Sequence, residues 1–508
     1  MSRKRSTILE ELRERDRDLQ LIYHSIALLQ WDQETGMPKK ALHERSEQLS
    51  LLEGIAHERL ASKEMGDLLC EAGSTSENPG GGHDIPHGDY VFLRALRREY
   101  DRAVKIPKRL VTELAREISA AQSVWAEARE NDDFPSFAPH LEKLITLNRE
   151  KSRALGLGEH PYDALLDEYE PWMTTAKVDK VFGNLKKELV TLVQELHEFA
   201  HVDDSFLHSS YPLPQQEALN RRILSDMGYD FDRGRIDVTA HPFTTAVGSD
   251  DVRITTRYKE HTFTSAFFGT VHEAGHALYE LGIDDEYKTS VLGEGSSLGI
   301  HESRSRTWEN MIARSIPFWR RYYSVVKEFF PSQLEDVTLS NFIKAINKVH
   351  PSCIRIEADE VTYSLHIILR YQLEQALVKG DLSVKDLPAE WNRGMEELLG
   401  IRPKNDGEGV LQDVHWSMGA VGYFPTYALG NLYAAQFYST MWDDLGDVDT
   451  LVLEGKFYRI TEWMRTRIHR YGKAKTPAEL LKDVTGEALK AEPFIRYLRD
   501  KYTQIQEM

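Results

Sequence analysis

Apolar residues recur at intervals of three and four along almost every long segment of this chain, and that spacing fixes the fold class before anything else. It places a stripe of side chains on one face of an α-helix. Leu9, Leu12, Leu19, Ile22 and Ile26 form such a stripe near the start, and Val181, Leu185, Leu189, Leu192 and Leu196 form another. Thr476, Pro477 and Glu479 read as a helix start: an N-cap, a first-turn proline and a capping-box acid. Strand-like alternation is scarce. One run, 251–258, alternates Val252, Ile254, Thr256 and Tyr258 with Asp251, Arg253, Thr255 and Arg257. It is rich in β-branched residues, and Pro242 and Gly248 precede it, so a strand is expected there. The expected fold is mainly α with a small β element.

The 508 residues hold 63 Lys plus Arg against 81 Asp plus Glu, a net charge of −18. Such a surface disfavours nucleic-acid phosphates and anionic membranes. No apolar run approaches the roughly 18 residues of a membrane span. Neither nucleic acid nor membrane is an expected partner. Two cysteines, Cys70 and Cys353, cannot build a disulfide framework, and the N-terminal segment has no apolar signal core; a cytoplasmic setting is expected. No repeat or long linker divides the chain, so residues 1–508 are expected to form one helical body with a deep groove. The segment 74–89, with Asn78-Pro79 and Gly80-Gly81-Gly82, cannot sit inside a helix. It reads as a mobile surface connection, with a lid as the functional alternative.

The chemistry begins at His272-Glu273-Ala274-Gly275-His276, which matches H-E-x-x-H. Two histidines four apart lie one above the other on a helix, so both imidazoles can reach one ion. Glu273, turned about 100° from His272, can reach an attacking water rather than the ion. The pattern alone is common enough to arise by chance. Its setting strengthens it: in a helix over 263–281, Phe263, Phe267, Val271, Ala274, Leu278 and Leu281 take one side, while Gly269, His272 and His276 take the other. Catalytic zinc needs a third protein ligand. Glu302 lies 26 residues after His276, room for a turn and a second helix, but on spacing alone Glu294, Glu309 and His301 compete with it.

Two other stretches are polar where a core would be apolar. In 354–380, Arg355, Asp359, Thr362, Tyr363, His366 and Arg370 fall on one helical face. The default reading is a solvated charged face; the very apolar remainder argues for an interior groove instead. In 409–430, Gln412, Asp413, His415, Trp416, Tyr423 and Tyr427 stand among Gly419, Gly422 and Pro425. Tyr and His near a metal can donate to an oxyanion; the plainer reading is an aromatic packing loop.

Taken in order, these blocks resemble the carboxypeptidase Taq family of zinc metallocarboxypeptidases. The resemblance rests on Trp31-Asp32 with Met37-Pro38, His241-Pro242-Phe243, Asp251-Val252-Arg253-Ile254-Thr255, the His272/His276 pair, His301-Glu302-Ser303, the run 354–359 and the run 409–416. It implies that Glu302 is the third zinc ligand, that cobalt is an alternative to zinc, and that the fold is a two-lobed helical body with a central groove and a small sheet, similar to neurolysin and angiotensin-converting enzyme. It further implies a homodimer that removes single C-terminal residues from peptides, with broad side-chain tolerance and poor action at proline. One departure is Trp172, where a glycine is expected; the glycines at 80–82 look like part of an insertion.

On that footing Glu273 is the expected general base, and Tyr423, or failing it Tyr427 or His415, the expected oxyanion donor. Arg355 is the expected grip on the substrate's free carboxylate, with His415 assisting and Arg253 as competitor. His241 and Tyr427 complete the expected substrate contacts, and the strand at 251–258 could hold peptide backbone by strand addition. The alternatives are an oligoendopeptidase or dipeptidyl carboxypeptidase on the same scaffold, or a helical binding protein with a vestigial H-E-x-x-H.

Overall fold

The computed structural model describes residues 4–82 and 85–508. The chain opens with α1 (Arg5–Thr35), α2 (His87–Lys105) and α3 (Thr175–Glu195), with further helices between them. The periodic stripes are what these helices bury: Leu9, Leu12, Leu19 and Ile26 of α1, and Leu185, Leu189 and Leu192 of α3. Each fully buried leucine contributes about 1.5–3 kcal/mol. Two apolar cores result. The larger unites α3 with the helices around the groove; the smaller, with Leu12, Leu69, Phe92 and Leu292, lies under α1 and α2.

The only sheet among the described residues has three strands, β1 (Ile236–Val238), β2 (Thr244–Gly248) and β3 (Asp251–Thr256), in the order β1-β3-β2. β3 pairs in parallel with β1 and antiparallel with β2; Ile254 stands opposite both Ile236 and Thr244. The strand expected at 251–258 therefore ends at Thr256 and has partners on both sides. It offers no edge for a peptide; β2 is the edge strand that borders the groove.

α4 (Phe263–Leu281) begins and ends where its periodicity puts it. α5 (Leu298–Arg306) is short and runs into a π turn at Thr307–Ile312. α6 (Tyr363–Lys379), α7 (Pro425–Leu445) and α8 (Pro477–Thr485) follow. At α8 the capping box is complete: Glu479 N–H donates to Thr476 Oγ1 at 3.2 Å, and Thr476 N–H to Glu479 Oε2 at 2.8 Å.

Two glycines decide where α5 sits. A Cβ on Gly275 of α4 would lie 2.6 Å from Ser305 Cα, and one on Gly430 of α7 would lie 2.5 Å from Glu302 Cγ. Without those side chains, α5 fits between α4 and α7 at backbone contact. Its first turn is anchored by buried Glu170, which accepts from Gly299 N–H at 3.0 Å and Tyr433 O–H at 2.9 Å.

Two expectations fail here. The helix expected from residue 354 starts only at Tyr363. Asp359 accepts from Val361 N–H (2.9 Å) and Thr362 N–H (3.0 Å), so local side-chain bonds replace the helical ladder before that point. Nor is the segment from 74 to 82 a free connection. Arg5 Nη2 donates to Ala72 O and Gly81 O, Ser74 donates to Pro79 O at 2.6 Å, and Gly80 lies against the Tyr90 ring. His83 and Asp84 of that loop lie outside the described residues.

Candidate active site

A groove of about 1120 Å³ runs past the polar side of α4. His272 and His276 enter it from α4 and Glu302 from α5. Their ligating atoms form a near-equilateral triangle: Nε2 to Nε2 is 3.2 Å, and each Nε2 lies 3.5 Å from Glu302 Oε2. A tetrahedral ion with bonds of about 2.0–2.1 Å has ligand–ligand edges of about 3.3–3.4 Å. Two imidazole nitrogens and one carboxylate oxygen at these separations fit a divalent metal and leave a fourth position toward the groove.

A ring of outer partners aims the three ligands. Arg306 Nε donates to Glu302 Oε1 at 2.7 Å, which leaves Oε2 facing the imidazoles. His272 Nδ1–H donates to Glu309 Oε2 at 2.9 Å. His276 Nδ1 meets His301 Nδ1, and His301 Nε2 meets Glu280 Oε1 at 2.6 Å. Because His276 Nε2 faces the ion position, its Nδ1 carries the proton; His301 accepts it and passes the polarisation on to Glu280. Charge favours a cation here. Burial opposes ionisation of Glu302, yet Arg306 and His272 hold its carboxyl well below the usual range. Burial also opposes a charged His272, but Glu302 and Glu309 outweigh it and raise that imidazole to about 10, so the carboxylates draw positive charge to this point and a bound metal would displace that proton.

Glu273 is buried beside the triad and its Oε2 accepts from Thr244 O–H on β2 at 2.7 Å. Burial raises its pKa, with His272 opposing. Tyr423 and Tyr427 stand on the wall that α7 and the loop before it provide, and burial keeps both phenols protonated, hence donors.

The Carboxypeptidase Taq (M32) metallopeptidase family matches residues 11–502. Thermostable carboxypeptidase 1 of Thermus thermophilus is 44% identical over 491 residues, 94% of this chain and 95% of that one. Carboxypeptidase 1 of Bacillus subtilis is 41% identical over 95% of both. The crystal structure of an M32 carboxypeptidase from Deinococcus radiodurans R1 superposes with a TM-score of 0.95 at 38% identity, covering 99% of this chain and 100% of the other. The chain belongs to the carboxypeptidase Taq family. It is a metallocarboxypeptidase, a peptide hydrolase that requires a divalent metal.

In this metallocarboxypeptidase the expected site residues separate into those on the groove and those off it. Arg355 is on the wall, buried, in a short 3₁₀ turn (Arg355–Glu357). Its Nε and Nη2 donate to Asp413 Oδ1 (2.9 and 2.7 Å), and Nη1 to Tyr363 Oη at 3.1 Å. Three of five N–H groups are thereby used, leaving one on each Nη. Arg370 Nε takes Asp413 Oδ2 at 2.6 Å. The polar stripe of α6 is thus a buried ion network, not a solvated face. His415 lies behind the wall: its Nε2 is 3.1 Å from Tyr427 Oη, and burial lowers it to about 4, so it is neutral.

Two expected substrate contacts are not on the groove. Arg253 is locked to its neighbour Asp251 (2.6 and 2.7 Å) and lies over the Trp31 ring at 4.3 Å, because the β3 pleat turns it to the α1 side. His241 is exposed at the loop before β2, and only the residues after it, Pro242 to Thr244, reach the groove. Conversely, Glu280, Thr244 and Arg306 escaped the sequence reading. Glu280 follows His276, and Arg306 follows Glu302, by four residues, so helical spacing held the signal. Glu309 and His301, rivals of Glu302 on spacing, form the outer ring; Glu294 pairs with Lys473 instead.

Proposed function

We propose that the metal is zinc on His272, His276 and Glu302, and that the enzyme removes one C-terminal residue at a time, with broad side-chain tolerance and poor action at proline. The triangle of two imidazole nitrogens and one carboxylate oxygen is the observation that carries the reading; cobalt, which accepts the same donors, is an alternative. When bound, such an ion supplies Lewis acidity to the scissile carbonyl and the attacking water.

The chain's own groups do the rest. Thr244 holds Oε2 of Glu273, leaving Oε1 to take the proton from the attacking water and return it to the departing amine. The Tyr423 hydroxyl donates to the developing oxyanion, with Tyr427, steadied by His415, beside it. The two remaining N–H groups of Arg355 take the substrate's α-carboxylate end-on, and Asp413 fixes the guanidinium for that contact. The edge of β2 is the place where extended substrate backbone can lie. Residues 1–508 act as a single catalytic body, two-lobed in the manner of neurolysin and angiotensin-converting enzyme; one apolar core packs α4, α6 and α7 together around the groove, which supports the single body. Among the described residues no helix is long and apolar enough to cross a membrane. A cytoplasmic homodimer rests on the family resemblance and on two free cysteines.

Mass spectrometry of a digested peptide tests the reading. A ladder of single-residue losses from the C-terminus, with one zinc per chain, is expected. Internal cuts or dipeptide steps contradict it.

A further inference from the structure

A second cavity of about 600 Å³ opens from the catalytic groove and shares Thr244, Leu298 and His301 with it. It follows β2 through Thr245 and Ala246 and contains none of Arg355, Tyr423 or Tyr427. A peptide with its C-terminus held at Arg355 and its backbone laid along β2 would run into this branch.

Trp172 lines that branch. It is the third residue of the turn 170–173, after Pro171, closed by Met173 N–H to Glu170 O at 3.1 Å. Its φ of +62° is the left-handed value that a type II turn asks of glycine. A bulky aromatic there is strained, and strain of this kind persists where the side chain has a use. Trp172 does not spend its ring on core packing: it is 44% exposed. Two guanidinium groups lie against the ring, Arg98 at 5.0 Å and Arg94 at 5.8 Å from the ring centroid. Both cations are already committed, Arg98 to Asp167 and Arg94 to Glu479 and Ala474 O. They stiffen the indole without offering a free charge.

We propose that Trp172 is the floor of an upstream subsite that takes an aromatic side chain of the peptide substrate. The cavity mixes five basic with four acidic side chains, so net charge selects neither sign. A basic side chain would meet a ring already flanked by two cations. A neutral planar ring stacks on the open part of the indole without that penalty. The subsite rests on the carboxypeptidase reading and on Arg355 as the carboxylate anchor.

The test uses the holoenzyme and peptides that share their last two residues, with Phe, Ala or Lys stepped through the upstream positions. At one position Phe should raise kcat/KM over Ala by about threefold to tenfold, the range one stacked aromatic pair supports, and Lys should not. Trp172→Gly, which suits the turn, should bring the Phe-to-Ala ratio close to one; Trp172→Phe should retain part of it. A ratio unchanged in Trp172→Gly, a fall of both peptides by the same factor, or no Phe advantage at any position in the parent overturns the subsite. No C-terminal release at all would overturn the carboxypeptidase reading and the subsite with it.

Discussion

Replacing Gly430 with alanine tests how the third ligand is delivered. The added Cβ would lie 2.5 Å from Glu302 Cγ and 2.7 Å from its Cβ, against about 3.5–4.0 Å for comfortable carbon contact. A shift of roughly 1 Å is required. The α5 backbone cannot recede, because its far side already touches α4 at Gly275. Relief has to come from the Glu302 side chain itself, which strains its bonds to Arg306 and Ser305 as it moves. Oε2 must therefore leave its place 3.5 Å from each imidazole nitrogen, in a site that tolerates about 0.2 Å in bond length. Loss of an outer partner alone costs about 10–100-fold in metal affinity. Displacing the ligand itself should cost at least the upper value, about 2.7 kcal/mol. Alanine also gains about 0.8–1.0 kcal/mol of helix propensity over glycine, so the metal-free fold should survive. Zinc affinity read by competition with a chromophoric chelator, beside a circular dichroism spectrum, decides the matter. A folded Gly430→Ala protein that binds zinc as tightly as the parent refutes the reasoning.

Three further outcomes follow from the geometry. His301→Ala should weaken zinc binding by about 10–100-fold in the same competition assay, since His276 Nδ1 loses its acceptor; unchanged affinity would remove the relay to Glu280. Arg355→Ala should raise KM for a free-acid peptide and leave a C-terminally amidated one, a poor substrate already, almost unaltered; equal losses on both would show that Arg355 is not the carboxylate anchor. Asp16 on α1, buried and accepting from Val291 N–H at 2.8 Å, is pushed from 3.8 up to about 6 by burial. A folded pKa above the unfolded one means that stability falls as pH rises from about 4 to 6 and stays low above that. Asp16→Asn should thus raise the melting temperature at pH 7.5, by up to roughly 3 kcal/mol of stability, with a gain that shrinks toward pH 4. An equal gain at both pH values would contradict the assignment.

The parts of this fold that were legible in sequence are those set by neighbours along the chain. The bounds of α4, the capping box of α8 and the strand at β3 all follow from periodicity or from residues three and four apart. What was not legible depends on partners far away in sequence. The stripe from Arg355 to Arg370 looks solvated until Asp413, more than forty residues on, is seen to pair with both arginines inside the protein. Arg253 looks like a groove residue until the pleat of β3 is seen to turn it toward Trp31. Among Glu294, His301, Glu302 and Glu309, spacing gave no choice. The choice comes from Gly275 and Gly430, whose missing side chains bring Glu302 alone of these onto both imidazoles, a tertiary effect with no local pattern. Helix 354–362 failed for the opposite reason: a local competitor, the Asp359 side chain, outbid the periodicity.

The most direct test of the account is the turnover of Glu273→Gln protein shown by metal analysis to carry one zinc per chain. Retained metal with C-terminal release slowed by about 10²–10⁴-fold is the expected result. Metal-loaded Glu273→Gln that trims peptides at the parental rate would contradict it, because the triad would then work without the carboxylate beside it.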